Sequence, residues 1–256
     1  MLSVQKRKRN QDRVCEEGLV LMTDNVHRDS DYYLFSPESL QIRIGVRQRR
    51  IIYRRFVELF DIVPETTILD IGVTSDRVHA SWTYLEAWHP HSHRVIALGL
   101  ADASFLCDHH PGLTFVQGNG LMLPFRDGSF DVVHCSAVIE HVGSFRNQGQ
   151  LVAECARVAR RGFLITTPYR WFPIEVHTSL PLLHWLPKGW HRAILSYFGY
   201  SYYCTEENLN LMDKRNLQCI AATLVDFTVT IHSVSLYGLP SNLLLVGRRL
   251  ERSSHL

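Results

Sequence analysis

Several positions in this 256-residue chain carry side chains capable of chemistry at spacings that suggest a site. Ile68-Leu69-Asp70-Ile71-Gly72 is a short apolar strand ending in an acid and a glycine, the arrangement in which a nucleotide-like ligand sits against an open α/β sheet. Glycine lets a backbone turn approach a ligand closely, and the Asp70 carboxylate can face a ligand ammonium. Gly99-Leu100-Ala101-Asp102 ends the next apolar run, where Asp102 either reaches a ribose or caps the following helix. Gly118-Asn119-Gly120-Leu121-Met122-Leu123-Pro124-Phe125 reads as a ligand-touching loop before a turn and the buried strand Phe130-Asp131-Val132-Val133. His141 can orient or deprotonate a hydroxyl, or serve structurally beneath a ligand, and Glu175 with His177 stands among aromatic residues suited to an amphipathic substrate.

The elements that must position these residues follow from periodicity. Ser36 with Pro37 and Glu38 forms a helix start, with Ile42, Val46, Tyr53, Phe56 and Phe60 at helical spacing. From Thr67 the chain alternates short apolar strands with helical stretches, which predicts a parallel sheet with crossover helices. Strands are expected over Thr67 to Ile71, Arg94 to Leu98, Leu113 to Gln117, Phe130 to Cys135 and Gly162 to Thr166, with a helix capped by Ser144 before the fifth. The stretch from Tyr169 to about Cys204 is too long for an ordinary connection. Thr205 with Glu206 and Glu207 reads as another helix start, and β-rich segments over Ile220 to Ile231 and Leu243 to Gly247 close the chain. The predicted organisation is an N-terminal arm over residues 1–35 and one domain over 36–256 with a lid or substrate insertion at about 169–204.

The Asp-x-Gly turn, the Leu-Pro-Phe loop and the Ser129-Phe130-Asp131-Val132-Val133 strand resemble the class I S-adenosylmethionine-dependent methyltransferases. Thr167-Pro168-Tyr169-Arg170-Trp171-Phe172-Pro173-Ile174-Glu175-Val176-His177-Thr178 is similar to a type 11 subgroup associated with bacterial surface-glycan genes, and the resemblance runs from about Thr67 to Leu211. It implies an α/β fold with a Rossmann-like seven-stranded, mostly parallel sheet, flanking helices and an antiparallel C-terminal pair. S-adenosylmethionine is the implied cofactor, held by Asp70, Gly72, Asp102, Asn119, Gly120, Leu121 and Ser136. On this resemblance Asn119 accepts from the adenine amino group, Gly120 leaves room for the ring and Leu121 covers its face. The segment carrying Ser136 and His141 faces the transferred methyl, and His141, Glu175 and His177 are the catalytic candidates. The acceptor implied is a small molecule, sugar or glycolipid, methylated on oxygen or nitrogen. The alternatives are a methyltransferase-like binding protein without turnover and an RNA methyltransferase.

Composition narrows the partners. A net charge of +2 gives no global attraction to nucleic acid, so RNA would need a local patch. Arg43, Arg47, Arg50 and Arg54 form such a stripe on the first helix, which as a solvated face or as a contact for anionic membrane needs no nucleic acid. His89, His91 and His93, and the His109-His110 pair, specify no ligand geometry, so no metal site is expected. Six scattered cysteines lack a Cys-x-x-Cys pair, and no apolar run approaches a membrane span or a signal peptide. These features lead to the expectation of a soluble, cytoplasmic protein.

Overall fold

The computed structural model describes residues 39–77 and 80–250. Seven strands run in chain order as β1 (Ile68–Ile71), β2 (Val95–Gly99), β3 (Thr114–Gln117), β4 (Phe130–Ser136), β5 (Ala159–Pro168), β6 (Phe227–Leu236) and β7 (Leu239–Arg249). They form one sheet in the order β3-β2-β1-β4-β5-β7-β6. β1 to β5 are parallel, and β7 runs antiparallel between β5 and β6. This is the expected seven-stranded architecture. The order reverses at β1, which has β2 on one side and β4 on the other, so the carboxyl ends of these strands form the switch point where open α/β sheets bind their ligands.

The helices are α1 (Leu40–Leu59), α2 (Tyr84–Trp88), α3 (Phe105–His109), α4 (Phe145–Val158), α5 (Lys188–Tyr197) and α6 (Lys214–Ala221). Side chains alternate along each strand, so each sheet face has its own core. Leu69, Val133 and Ile165 meet Leu151 and Cys155 of α4 and Leu217 of α6 on one face. Ile68, Val132 and Leu164 meet Ile52 and Phe56 of α1 and Leu85 of α2 on the other. At about 1.5–3 kcal/mol for each fully buried large aliphatic side chain, these two cores fix the strand ends that form the switch point.

Several local boundaries differ from expectation: β5 and β7 extend beyond the expected Gly162 to Thr166 and Leu243 to Gly247. The expected helix start at Ser36, Pro37 and Glu38 lies outside the described residues, as does the N-terminal arm; the described helix is capped by Ser39, whose hydroxyl accepts from Ile42 N at 3.3 Å. No helix begins at Thr205. Leu209, Leu211 and Met212 are all buried, and positions 209 and 211 lie on opposite sides of any helix, so the chain runs irregularly to Asp213. There a reciprocal box with Asn216 starts α6. Ile220 belongs to α6 beside Leu217 rather than to a strand, and β6 begins at Phe227. The Ser144 cap is as expected, accepting from Asn147 N at 3.2 Å, with Leu151, Val152, Cys155 and Val158 buried.

Candidate functional site

The switch point is built from three adjoining strand ends. Gly72 N and Val73 N both donate to Leu98 O, at 2.7 and 3.2 Å, and Gly118 N donates to Gly99 O at 2.9 Å. The turns after β1, β2 and β3 therefore lie side by side. Gly72 has φ +95°, and a Cβ there would stand 2.1 Å from Val138 Cγ2, so this position needs glycine for its conformation and for the approach of the loop after β4.

Other expected contacts are redrawn by the geometry. The space left by Gly120 is not open to a ring: a Cβ there would meet Leu151 at 2.9 Å and Ile71 at 3.2 Å, so this glycine accommodates the core. Asn119 Oδ1 accepts from Leu121 N at 2.9 Å, which commits one lone pair of the amide oxygen to its own loop. Leu121 packs against the core, while Met122 stands 78% exposed beside it. Leu100, at the end of β2, is also exposed. Two uncovered apolar side chains at neighbouring strand ends are the surfaces a flat apolar ring would cover, and neither stood out from its spacing. Asp102 is exposed and accepts from Ser104 N at 2.9 Å, a local turn just before α3 whose N-cap is Ser104; that bond holds its carboxyl below the usual range.

Asp70 does not project into the turn. It lies on the α1 face of the sheet, buried, with Oδ1 at 2.6 Å from His134 Nδ1, and His134 Nε2 is 2.8 Å from the Tyr84 hydroxyl. Burial pushes the Asp70 carboxyl up to about 7 and the His134 ring down to about 4. The ring is therefore uncharged at neutral pH and the contact is a hydrogen bond within a buried cluster that also holds the Glu86 carboxyl, which burial likewise raises.

Residues far along the chain hold the Asn119 loop. Arg157 on α4 donates to Glu154 at 2.7 and 2.8 Å, to Phe125 O at 2.8 Å and to Leu123 O at 3.1 Å, while Glu154 Oε2 accepts from Leu123 N at 2.7 Å. The Leu-Pro-Phe segment is thus clamped to α4 through its own backbone.

On the other side of the switch point, the segment after β4 meets the insertion. Ser136 Oγ is 2.9 Å from Thr166 Oγ1, and Ala137 then turns the chain with φ +57°. His141 Nδ1 is 2.6 Å from Asn208 O, and its ring lies 4.9 Å from that of His177, edge to face. Burial and the neighbouring His177 lower His141 to about 3, so it is neutral. Glu175 Oε1 accepts from His177 Nδ1 at 2.6 Å and His177 N at 3.0 Å; Oε2 accepts from Thr178 N and Oγ1, both at 2.7 Å. Burial pushes Glu175 up, but the His177 ring and these bonds prevail and hold it at about 2. His177 is in turn raised by Glu175 against the downward pull of burial. The three expected catalytic residues are therefore brought together. Glu140, which spacing did not single out, lies fully buried among them, with Oε2 accepting from Thr167 Oγ1 at 3.0 Å and burial raising its carboxyl to about 7.

Against this geometry, residues 69–166 match the model of the methyltransferase domain family, a span running from β1 into β5. The demethylmenaquinone methyltransferase of Corynebacterium efficiens is 28% identical over 119 residues, covering 46% of this chain and 48% of that protein. A probable S-adenosylmethionine-dependent methyltransferase of Mycolicibacterium smegmatis is 41% identical over 81 residues, 30% of each. The chain thus spans less than half the length of these curated relatives. The solved PH0226 protein from Pyrococcus horikoshii OT3 superimposes with a TM-score of 0.56 at 13% identity, covering 89% of this chain and 99% of that one, which shows the shared fold. The matched segment thus resembles a methyltransferase domain, and it lies within the seven-stranded sheet described above. Among the described residues no helix is long and apolar enough to cross a membrane.

Proposed function

We propose that the chain transfers the methyl group of S-adenosylmethionine to an oxygen or nitrogen of a small-molecule, glycan or glycolipid acceptor. The observation that carries this reading is the switch point at the strand-order reversal, with the methyltransferase-domain match lying over the strands that form it. The residues present fit the cofactor: a tight glycine turn, a polar loop amide at Asn119, the exposed carboxylate of Asp102 and the uncovered faces of Leu100 and Met122. When bound, the cofactor supplies an electrophilic sulfonium methyl. The protein holds it at the strand ends and presents the acceptor from the insertion, so that alignment and exclusion of water do most of the work. His177, oriented by Glu175, is the group that engages the acceptor's nucleophilic atom, with His141 beside it.

The insertion supports an amphipathic, anionic acceptor. Trp171, Trp185 and Trp190 are exposed, with the first two rings 6.3 Å apart. A small cavity is lined by Arg170, His184, Lys188, His191 and Arg192 together with Asn210, whose N–H donates to Glu140 O. Burial, and then the neighbouring Arg170 guanidinium, lowers the Lys188 ammonium, an energetic burden that a phosphate or carboxylate of the acceptor would relieve. The exposed Arg43, Arg47, Arg50 and Arg54 offer a separate face for anionic membrane.

Titration calorimetry with S-adenosylmethionine and its demethylated product tests the reading, with saturable binding to both expected. A second reading, binding without turnover, draws on Ala101, which stands where the resemblance to class I methyltransferases would put the ribose-holding acid, and on Val138 filling the space at Gly72. It requires cofactor binding with no methyl transfer to any acceptor pool, whereas absence of binding would defeat both.

A further inference from the structure

We propose that Glu140, His141 and His177 form a binding site for one divalent transition-metal ion. Each of the three side chains offers one ligand atom, and these atoms lie within 4.8 Å of one another. Ligands at about 2.0–2.2 Å from a common ion stand at most about 4.2 Å apart, so small side-chain rotations would close the shell. His141 Nε2 and Glu140 Oε1 are already 3.9 Å apart.

The groups behind these ligands give the arrangement its direction. A backbone carbonyl only accepts, so His141 Nδ1 carries the proton in its bond to Asn208 O, and Nε2 is the ligand atom. His177 Nδ1 is bonded to the Glu175 carboxylate, which leaves Nε2 as its ligand atom. This is the carboxylate–histidine support that metal sites use to fix a ring and raise its basicity. Thr167 Oγ1 donates to Glu140 Oε2 and turns the other oxygen inward. That oxygen, on a residue with no solvent exposure, has no hydrogen-bond partner among the described residues. A dication offsets the charges of Glu140 and Glu175 while both rings remain neutral. Two imidazoles and one carboxylate suit zinc, iron, manganese or cobalt, with further positions left for a ligand. The rings keep 15% and 9% side-chain exposure, so those positions have a route to the outside. The role assigned to the ion, receiving the acceptor's oxygen in place of a direct contact from His177, rests on the methyltransferase reading; the binding of the ion does not.

The test is titration of the chelator-treated full chain with cobalt(II), followed by calorimetry and visible absorption, in parallel with Glu140→Gln, His177→Gln and Glu175→Gln. One ion per chain is expected, lost in the first two variants and weakened about 10–100-fold in the third, whose carboxylate only supports a ligand. Retained affinity in Glu140→Gln and His177→Gln, no stoichiometric binding to the wild type, or a thiolate-to-cobalt absorption band would overturn the proposal. Should the variants fail to fold, anomalous diffraction from cobalt-soaked wild-type crystals decides: a peak among the three side chains supports the site, and a peak only elsewhere refutes it. Calorimetry with S-adenosylmethionine on the metal-free chain keeps the two readings apart: cofactor binding there together with no cobalt binding sinks the metal site alone, and cobalt binding without cofactor binding sinks the methyltransferase reading alone.

Discussion

Replacing Glu175 by Gln in metal-free protein preserves shape, removes one charge and isolates what the carboxylate does. The native group is 2% exposed and accepts four hydrogen bonds, two on each oxygen. An amide has one accepting oxygen and an NH₂ that only donates, so in either orientation a backbone N–H of His177 or Thr178 faces another donor. The cheaper orientation sets the NH₂ beside Thr178, whose hydroxyl can rotate to accept, and strands the Thr178 N–H. One buried unsatisfied donor costs about 1–3 kcal/mol, and making the His177 bond neutral loses about 1 kcal/mol more, giving about 2–4 kcal/mol in total. With a urea slope near the upper end for single domains, about 3 kcal/mol/M, the unfolding midpoint falls by about 1 M.

The pH dependence of this loss has a definite sign. Glu175 is depressed from 4.5 to about 2, so its contribution is full above about 4.5 and disappears as pH falls through about 2. The contribution of the raised His177 is full below 6.5 and disappears as pH rises through its folded value. Urea unfolding at pH 6, read by tryptophan fluorescence, therefore catches both in full. A loss under about 0.5 kcal/mol there, or one that grows on acidification, would refute an ionised Glu175 orienting His177.

Three further outcomes are expected. Gly72→Ala should cost about 2–5 kcal/mol from the positive φ and the 2.1 Å contact with Val138, and Val138→Ala in the same chain should recover only the steric part; strictly additive losses in denaturant unfolding would exclude the contact. Arg157→Met should destabilise by about 2–4 kcal/mol, with the arm to the 81%-exposed Asp127 contributing little, and should weaken the demethylated cofactor about tenfold; calorimetry and unfolding that both match wild type would dismiss the clamp. Asp70→Asn should stabilise at pH 8 and not at pH 4, because a carboxyl raised from 3.8 to about 7 in the fold favours folding fully below 3.8 and loses that advantage as pH rises through 7; a melting-temperature difference that is constant across this range would contradict it.

The sheet was legible because β1, β2, β4 and β5 are compact apolar runs, largely buried, set between helical stretches. The site was legible in its strand ends but not in its contacts. Asn119 looks like a ligand group from its loop, yet the bond it makes to Leu121 two residues on is equally local and has no distinct spacing. Glu140 sits in Ile139-Glu140-His141, where an acid passes for a solvated turn; its burial depends on Thr167, 27 residues on, and on Asn210 beyond the insertion. Arg157 serves carbonyls 32 and 34 residues earlier, and main-chain acceptors carry no side-chain signature. Gly120 misleads for the same reason, since what fills its missing side chain is Leu151, from a helix that no local pattern places there.

The six residues Ser136 to His141 set the two halves of the proposed site against each other. Ala137 takes a left-handed conformation without being glycine, at a cost of order 1–3 kcal/mol that the surrounding structure must offset. It does so between two anchors, its own N–H on Thr166 O at 3.0 Å and the Val138 side chain against the Gly72 turn. Two and three residues later come Glu140 and His141, which meet His177 of the insertion. On the proposed function, Val138 is thus the contact that ties the Gly72 turn to the Glu140–His141 segment, with no flexible linker in between. Cofactor and acceptor need sub-ångström alignment for in-line transfer, and a short strained segment packed at both ends provides it better than two independently placed loops could.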